Sequence, residues 1–209
     1  MALLYYIHDP MCSWCWGFKP AWYKLQKKLP SNIEVKYLLG GLAKDSDITM
    51  PLALQGAIKK TWHSIEQEIP GITFNFDFWT NNTPRRSTYP ACRAVIAARV
   101  QDSSLSFEMI YKIQQAYYLD ALNPSETSVL VKCAKELNLN IPKFLEDLSS
   151  VNTQRILNYE INLSRELGAQ GFPSLVLNNN DEDYFIEINY NKPDCMLDSI
   201  KKILNTTTL

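Results

Sequence analysis

The chain has 209 residues, enough for one good core or for a domain carrying a large insertion. Hydrophobic residues make up 46% and charged residues 21%, the balance of an ordinary globular protein. The net charge of −1 offers no basic excess for nucleic acid or for an anionic membrane surface.

No apolar run approaches the ~18 residues that a membrane span needs. The apolar start, Met1 to Ile7, is a few residues long and lacks a basic lead, and Cys12 follows too soon for a signal peptide. Unless the sequence is already a mature form, the expected location is cytoplasmic, where most thiols stay free. Five cysteines, an odd number, also argue against a pure disulfide framework.

Ala2–Ile7 is a short, continuous apolar run that ends at Asp9-Pro10, the pattern of a strand buried on both faces. From Ser13 to Leu29 the pattern turns helical, with Trp14, Phe18, Ala21, Trp22, Leu25 and Leu29 at spacings of three and four. Pro30-Ser31-Asn32 stops that helix. Ile33, Val35, Tyr37 and Leu39 then mark a second strand, so the first forty residues form a β-α-β unit with parallel strands. Gly40-Gly41 breaks the pattern. Helical stripes follow over 50–69, 88–100, 106–119, 126–137 and 141–148, with an aromatic, Asn-rich loop at 73–86. Thr153 is a candidate cap for a helix running to Leu167, with Gly168 just past its end. Strands are expected at Ser174–Leu177 and Tyr184–Ile188, joined by a polar turn, and a last helix at Asn191–Leu204 before a frayed tail at 205–209. The order predicts an α/β domain from residues 1–43 and 152–209, split by an all-helical insertion at 44–151.

Cys12-Ser13-Trp14-Cys15 opens the first helix directly after the first strand. Disulfide exchange needs two thiols close enough to bond and one that is a thiolate at working pH. Two intervening residues on a first helical turn bring the sulfurs together, and the unpaired amides and dipole favour a negative sulfur on the first cysteine. Such cysteines have pKa values of roughly 3.5–7.5, against about 8.5 for a free thiol. Cys12 is therefore the expected nucleophile, and Cys15, one turn deeper, the resolving thiol. A zinc site is the main competing use of C-x-x-C, but it needs further ligands at similar spacing, and Cys92, Cys133 and Cys195 are solitary. Two inert core cysteines are the blander reading.

The run Asp9-Pro10-Met11-Cys12-Ser13-Trp14-Cys15-Trp16-Gly17-Phe18 resembles the DsbA-family proteins known as predicted protein-disulfide isomerases, relatives of FrnE. Similarity extends along nearly the whole chain. It includes Ala116-Tyr117-Tyr118 through the helix start at Pro124-Ser125-Glu126, and Glu166-Leu167-Gly168-Ala169-Gln170-Gly171-Phe172-Pro173. The resemblance implies a thioredoxin-like fold with an all-helical insertion, and cysteine redox activity on protein or small-molecule disulfides. Pro20, five residues after Cys15, matches the kinked active-site helix of thioredoxins. Pro173 matches their cis-proline, which faces the C-x-x-C. The residue before it is Phe172, where many relatives carry Val or Thr. The expected catalytic set is Cys12, Cys15 and Pro173, with Ser13, Trp14 and Phe172 binding substrate, and with no metal and no cofactor. Glutathione is a candidate partner; nucleic acid and membrane are not.

The other candidates weigh less. Cys92 and Cys133 fall on apolar helical stripes and read as small buried hydrophobes rather than redox thiols. Cys195, at the start of the last helix, is expected to be partly exposed. Asp9 reads as a loop cap before it reads as a proton acceptor for Cys15. A cationic His8 would favour a Cys12 thiolate if its ring pointed that way. Met11, Trp14 and Trp16 could form an apolar docking surface, whereas Phe18 and Trp22 belong to the core. Arg85-Arg86 reads as a solvated loop pair, with the holding of a glutathione carboxylate as the sharper alternative. Two rival functions remain: a non-redox adaptor that binds a client on a thioredoxin scaffold, and a glutathione-dependent isomerase, which usually lacks an intact C-x-x-C.

Overall fold

The computed structural model describes residues 2–206. Four strands form one sheet in the order β2-β1-β3-β4: β1 Ala2–His8, β2 Ile33–Leu39, β3 Ser174–Asn179 and β4 Glu182–Ile186. β1 pairs with β2 in parallel, with Leu4 opposite Val35, and with β3 antiparallel, with Leu4 opposite Leu177. β3 and β4 form an antiparallel hairpin whose turn residues, Asn180 and Asp181, both have positive φ. β4 thus begins two residues earlier than its apolar pattern suggests. Asn and Asp tolerate the left-handed conformation, so the turn is two residues long and the polar flanks still pair.

Period-two alternation sends the two faces of β1 to different helices. Leu4 and Tyr6 join Leu175, Leu177 and Ile186 beneath α1 (Ser13–Gln26) and α9 (Pro193–Thr206), which contribute Phe18, Trp22, Leu25, Met196 and Ile200. Ile7, Leu38 and Val176 meet Leu163 and Leu167 of α8 (Val151–Glu166) and the loop after it. The central strand is therefore covered on both faces, as its continuous apolar run requires. α1 is shorter than its stripe predicts, because Lys27–Leu29 close as a tight turn with Lys28 N–H bonded to the Leu25 carbonyl at 2.9 Å. Asn205 and Thr206 complete the last turn of α9; the rest of the expected frayed tail lies outside the described residues.

Between β2 and α8 lie α2 (Leu52–Glu68), the short α3 (Phe78–Asn81), α4 (Tyr89–Gln101), α5 (Leu105–Tyr118), α6 (Thr127–Glu136) and α7 (Ile141–Leu148). None of the four sheet strands comes from this stretch, which adds only an isolated bridge between Thr49 and Arg85. α3 falls within the expected 73–86 loop, where Phe78 and Trp79 bury against Trp62. The expected cap at Thr153 is displaced: Ser150, in extended conformation, accepts a hydrogen bond from Thr153 N–H at 3.0 Å, and Thr153 is the third helical residue. Gly168, at φ +77°, ends α8 in the left-handed conformation. Among the described residues no helix is long and apolar enough to cross a membrane.

Candidate active site

Cys12 is the N-cap of α1, in extended conformation at φ −81° and ψ 118°. Its carbonyl accepts the first helical bond, from Trp16 N–H at 3.1 Å, and its own N–H bonds to the Asp9 carbonyl at 3.1 Å. The amides that follow it sit in the first turn, where no intrahelical acceptor exists. The Cys12 thiol donates to the Phe172 carbonyl at 3.3 Å, although the two residues are 160 apart in sequence. The Phe172–Pro173 peptide bond is cis, and Pro173 is buried. Strand β1, helix α1 and the loop before β3 thus converge on one sulfur.

Cys12 is 7% exposed and Cys15 only 1%. Burial pushes the Cys15 thiol well above its ordinary value, and the neighbouring Cys12 sulfur and the Asp9 carboxylate push in the same direction. Cys15 is therefore a protonated, shielded thiol behind the more accessible one. The two thiols thus differ in exposure, with Cys12 on the outer side.

Asp9 is fully buried and holds the loop that carries Cys12. One carboxylate oxygen accepts from Met11 N–H at 2.8 Å; the other accepts from Leu42 N–H at 2.7 Å and from the Thr88 hydroxyl at 2.7 Å, with the Cys92 thiol at 3.5 Å. Burial raises its pKa, and these donors oppose the rise. This is the loop-capping role, extended to tie α4 and the segment after β2 to the active-site loop. His8 does not supply a cation. Its ring is buried, and desolvation, reinforced by the Arg99 charge, drives its pKa down to about 3, so it is neutral beside the thiols.

Beside Cys12 lies a cleft of about 270 Å³. Cys12, Ser13 and Trp14 form one side and Phe172 another, and the helical block closes it with Ile58, Thr61, Arg86 and Tyr117. The structure therefore brings Cys12, Ser13, Trp14 and Phe172 together, with Cys15 one turn behind. Trp14 is half-buried and packs on Tyr190, ring centroids 5.2 Å apart. Trp16 is largely buried, stacks on Tyr118 and donates its indole N–H to the Thr73 carbonyl at 3.2 Å. Phe18 and Trp22 are core. Cys92 and Cys133 are buried and Cys195 is exposed, as their patterns suggest. Arg85 is not simply solvated; it bonds Asp47, Glu126 and the Ser125 carbonyl. The cleft residues Leu42, Ile58, Thr61 and Tyr117 escape sequence reasoning, because each is an ordinary position in its own element and only the fold brings it to Cys12.

The four-stranded sheet, the helical start at Cys12 and the Phe172-Pro173 loop define a DsbA-like, thioredoxin-fold protein with a cysteine pair at the expected place. A family model described as thioredoxin matches residues 5–197, and the chain belongs to that family. A curated relative, the ClpXP adapter protein SpxH of Halalkalibacterium halodurans, is 23% identical over 185 residues, covering 86% of this chain and 60% of its own. The chain thus spans about three fifths of the length of the curated relatives it matches. Among solved structures, a "putative protein disulfide isomerase" from Nitrosomonas europaea superposes with a TM-score of 0.86 at 26% identity, covering 99% of this chain and 98% of that one. The cytosolic disulfide reductase DsbM from Pseudomonas aeruginosa superposes at 0.79 with 23% identity, covering 98% and 100%.

Proposed function

We propose that this chain is a thiol–disulfide oxidoreductase acting on protein or small-molecule disulfides, with Cys12 as nucleophile and Cys15 as resolving thiol. The observation that carries the reading is the Cys12 sulfur at a helix start, on a cleft and against the Phe172 backbone. The Cys12 thiolate attacks one sulfur of a substrate disulfide. That S–S bond breaks, one substrate thiolate leaves and takes a proton from water, and the other half stays bonded to Cys12. Cys15 then gives up its proton and attacks the Cys12 sulfur. The second substrate thiolate leaves and takes up that proton, so the Cys12–Cys15 dithiol has become a disulfide and its two electrons have passed to the substrate. The reverse sequence oxidises a dithiol. Once Cys12 is a thiolate it no longer donates to the Phe172 carbonyl, which becomes free to pair with an incoming peptide N–H as an added strand. That pairing holds the scissile disulfide in line.

Glutathione is the proposed low-molecular-weight partner, and the cytoplasm the proposed compartment. The support is the structure of the cytosolic reductase DsbM with GSH, superposable at a TM-score of 0.75. A redox titration of the 209-residue chain against glutathione tests the reading and sets the direction of electron flow. A Cys12–Cys15 disulfide should form and reduce reversibly. Cys12→Ser should abolish exchange, and Cys15→Ala should trap a mixed disulfide on Cys12, visible by mass. Unchanged exchange in Cys12→Ser would refute it.

A second reading is favoured by the curated relatives, which are ClpXP adapters. In that case the same fold presents a client protein, and a Cys12→Ser/Cys15→Ser double variant would keep both partner binding and cellular function. A glutathione-dependent isomerase is the weaker rival, given the intact cysteine pair.

A further inference from the structure

Among the described residues, Arg86 is the one cation on the wall of the Cys12 cleft, and no carboxylate lines that cleft. The two arginines of the Arg85-Arg86 pair have different surroundings. Arg85 is engaged by Asp47 and Glu126. Arg86 is exposed, and among the described residues no carboxylate lies within ion-pair distance of it. The acid closest in sequence to the thiols, Asp9, is buried and already accepts from Met11, Leu42 and Thr88. The charge of Arg86 reaches the cleft wall, where it opposes the effect of burial on Tyr117, while the buried Asp9 charge acts on the same hydroxyl in the other direction.

The cleft thus offers a thiol, a backbone carbonyl able to pair with a peptide amide, a half-buried indole and a guanidinium with no ion-pair partner among the described residues. Its volume of about 270 Å³ lies just under the lower end of small-ligand sites, roughly 300–1,000 Å³. That suits one half of a small disulfide rather than a folded segment. Guanidinium pairs with carboxylate through strong, charge-assisted hydrogen bonds.

We propose that Arg86 holds a carboxylate of the substrate, and that the site prefers small peptide disulfides bearing acidic groups, of which glutathione disulfide is the type. This rests on the redox reading above and names its substrate class. In the exchange, the half that stays on Cys12 keeps its carboxylate on Arg86, while the other half departs as thiolate. Attack by Cys15 then releases the retained half.

The test uses a single turnover, so that no added reductant intervenes. The reduced 209-residue chain is mixed with excess glutathione disulfide or with neutral 2-hydroxyethyl disulfide, and formation of the Cys12–Cys15 disulfide is followed by mass after an acid quench. The measured quantity is the ratio of the two second-order rate constants. Arg86→Gln should lower the glutathione-to-neutral ratio about tenfold, Arg86→Glu should lower it further, and Arg86→Lys should restore part of it. Arg85→Gln should leave the ratio within about twofold, because Arg85 faces Asp47 and Glu126 rather than the cleft. Added salt should erode the wild-type preference but not that of Arg86→Gln. A ratio that Arg86→Gln does not move overturns the assignment while leaving the oxidoreductase standing. Failure of the wild-type chain to react with either disulfide removes the oxidoreductase and this inference together.

Discussion

Four of the five cysteines are buried, and burial separates their chemistry. The Cys133 thiol is pushed up to about 11, mainly by desolvation, and the fully buried Cys92 is raised well above its usual value by burial and by Asp9. Neither forms appreciable thiolate at neutral pH. A brief alkylation at pH 7, read by peptide mass spectrometry, should label Cys12 and the exposed Cys195 well before Cys92 or Cys133. Early labelling of Cys133 would disqualify Cys12 as the nucleophile. His8 gives a pH dependence of stability. Its folded pKa of about 3 lies below the ordinary 6.5, so between these values the unfolded chain binds the extra proton. The stability associated with a neutral His8 is complete above about 6.5 and is lost as pH falls toward 3, at up to about 1.4 kcal/mol per pH unit. Asp9 acts in the opposite sense, since its raised folded pKa lets the folded chain bind the proton first as pH falls. Urea melts of His8→Asn between pH 7 and pH 4 should therefore show a flatter acid-side slope than wild type. An identical slope would mean that His8 is not held neutral by burial.

At the scale of elements, two contacts set the site's geometry. Gly40, at the end of β2, lies against the Phe172 ring, and a Cβ there would sit 1.9 Å from Phe172 Cε1. Gly40→Ala must displace the ring and with it the carbonyl that meets Cys12. We expect a loss of roughly 1–3 kcal/mol in stability and a larger proportional loss in disulfide exchange. Phe172→Ala in the same chain should relieve the clash and recover the stability, as a double-mutant cycle of thermal melts would show. The second contact is Glu160 of α8, which is buried, accepts from Leu39 N–H at 2.9 Å and pairs with Arg99 of α4. It joins the sheet, α8 and the helical block through one carboxylate. Glu160→Ala strands a backbone N–H and a mostly buried guanidinium. It should cost about 3 kcal/mol, readable as a lower urea midpoint. A change under about 0.5 kcal/mol would show that water replaces the carboxylate freely.

For the whole molecule, the largest apolar cluster among the described residues has members on both sides of residues 44 and 151. Met11 and Trp16 beside the thiols and Leu39 of β2 pack in the same cluster as Trp62, Phe78, Tyr118 and Phe144 of the helical block, with Leu157 and Ile161 of α8 completing it. The block therefore forms part of the floor beneath the active-site loop. A chain in which residue 43 is joined to residue 152 by a short linker should fail to fold cooperatively, because Trp16, Met11 and Leu39 lose their cover. Dispersed amide resonances and a sharp thermal transition in that shortened chain would show instead that the sheet with α1, α8 and α9 is self-sufficient.

Local signals carried much of this protein. The β-α-β start, the helical block, the late hairpin and the position of Cys12 at a helix start all follow from periodicity and from the spacing of two cysteines, because these patterns act within one or two turns of chain. The Ser150 cap and the exact strand ends did not follow, since several Ser, Thr and Asn residues could serve and the choice depends on which hydroxyl or turn the backbone presents. Periodicity and spacing do not say what meets Cys12; the family resemblance pointed to Phe172-Pro173, and the tertiary structure decided the rest of the cleft. The sheet order places β3 beside β1, which sets Phe172 against a sulfur 160 residues away. The helical block brings Arg86 and Tyr117 to the same cleft, and buries His8 deeply enough to keep it neutral. Burial, desolvation and charge neutralisation depend on atoms distant in sequence, and no local spacing encodes them.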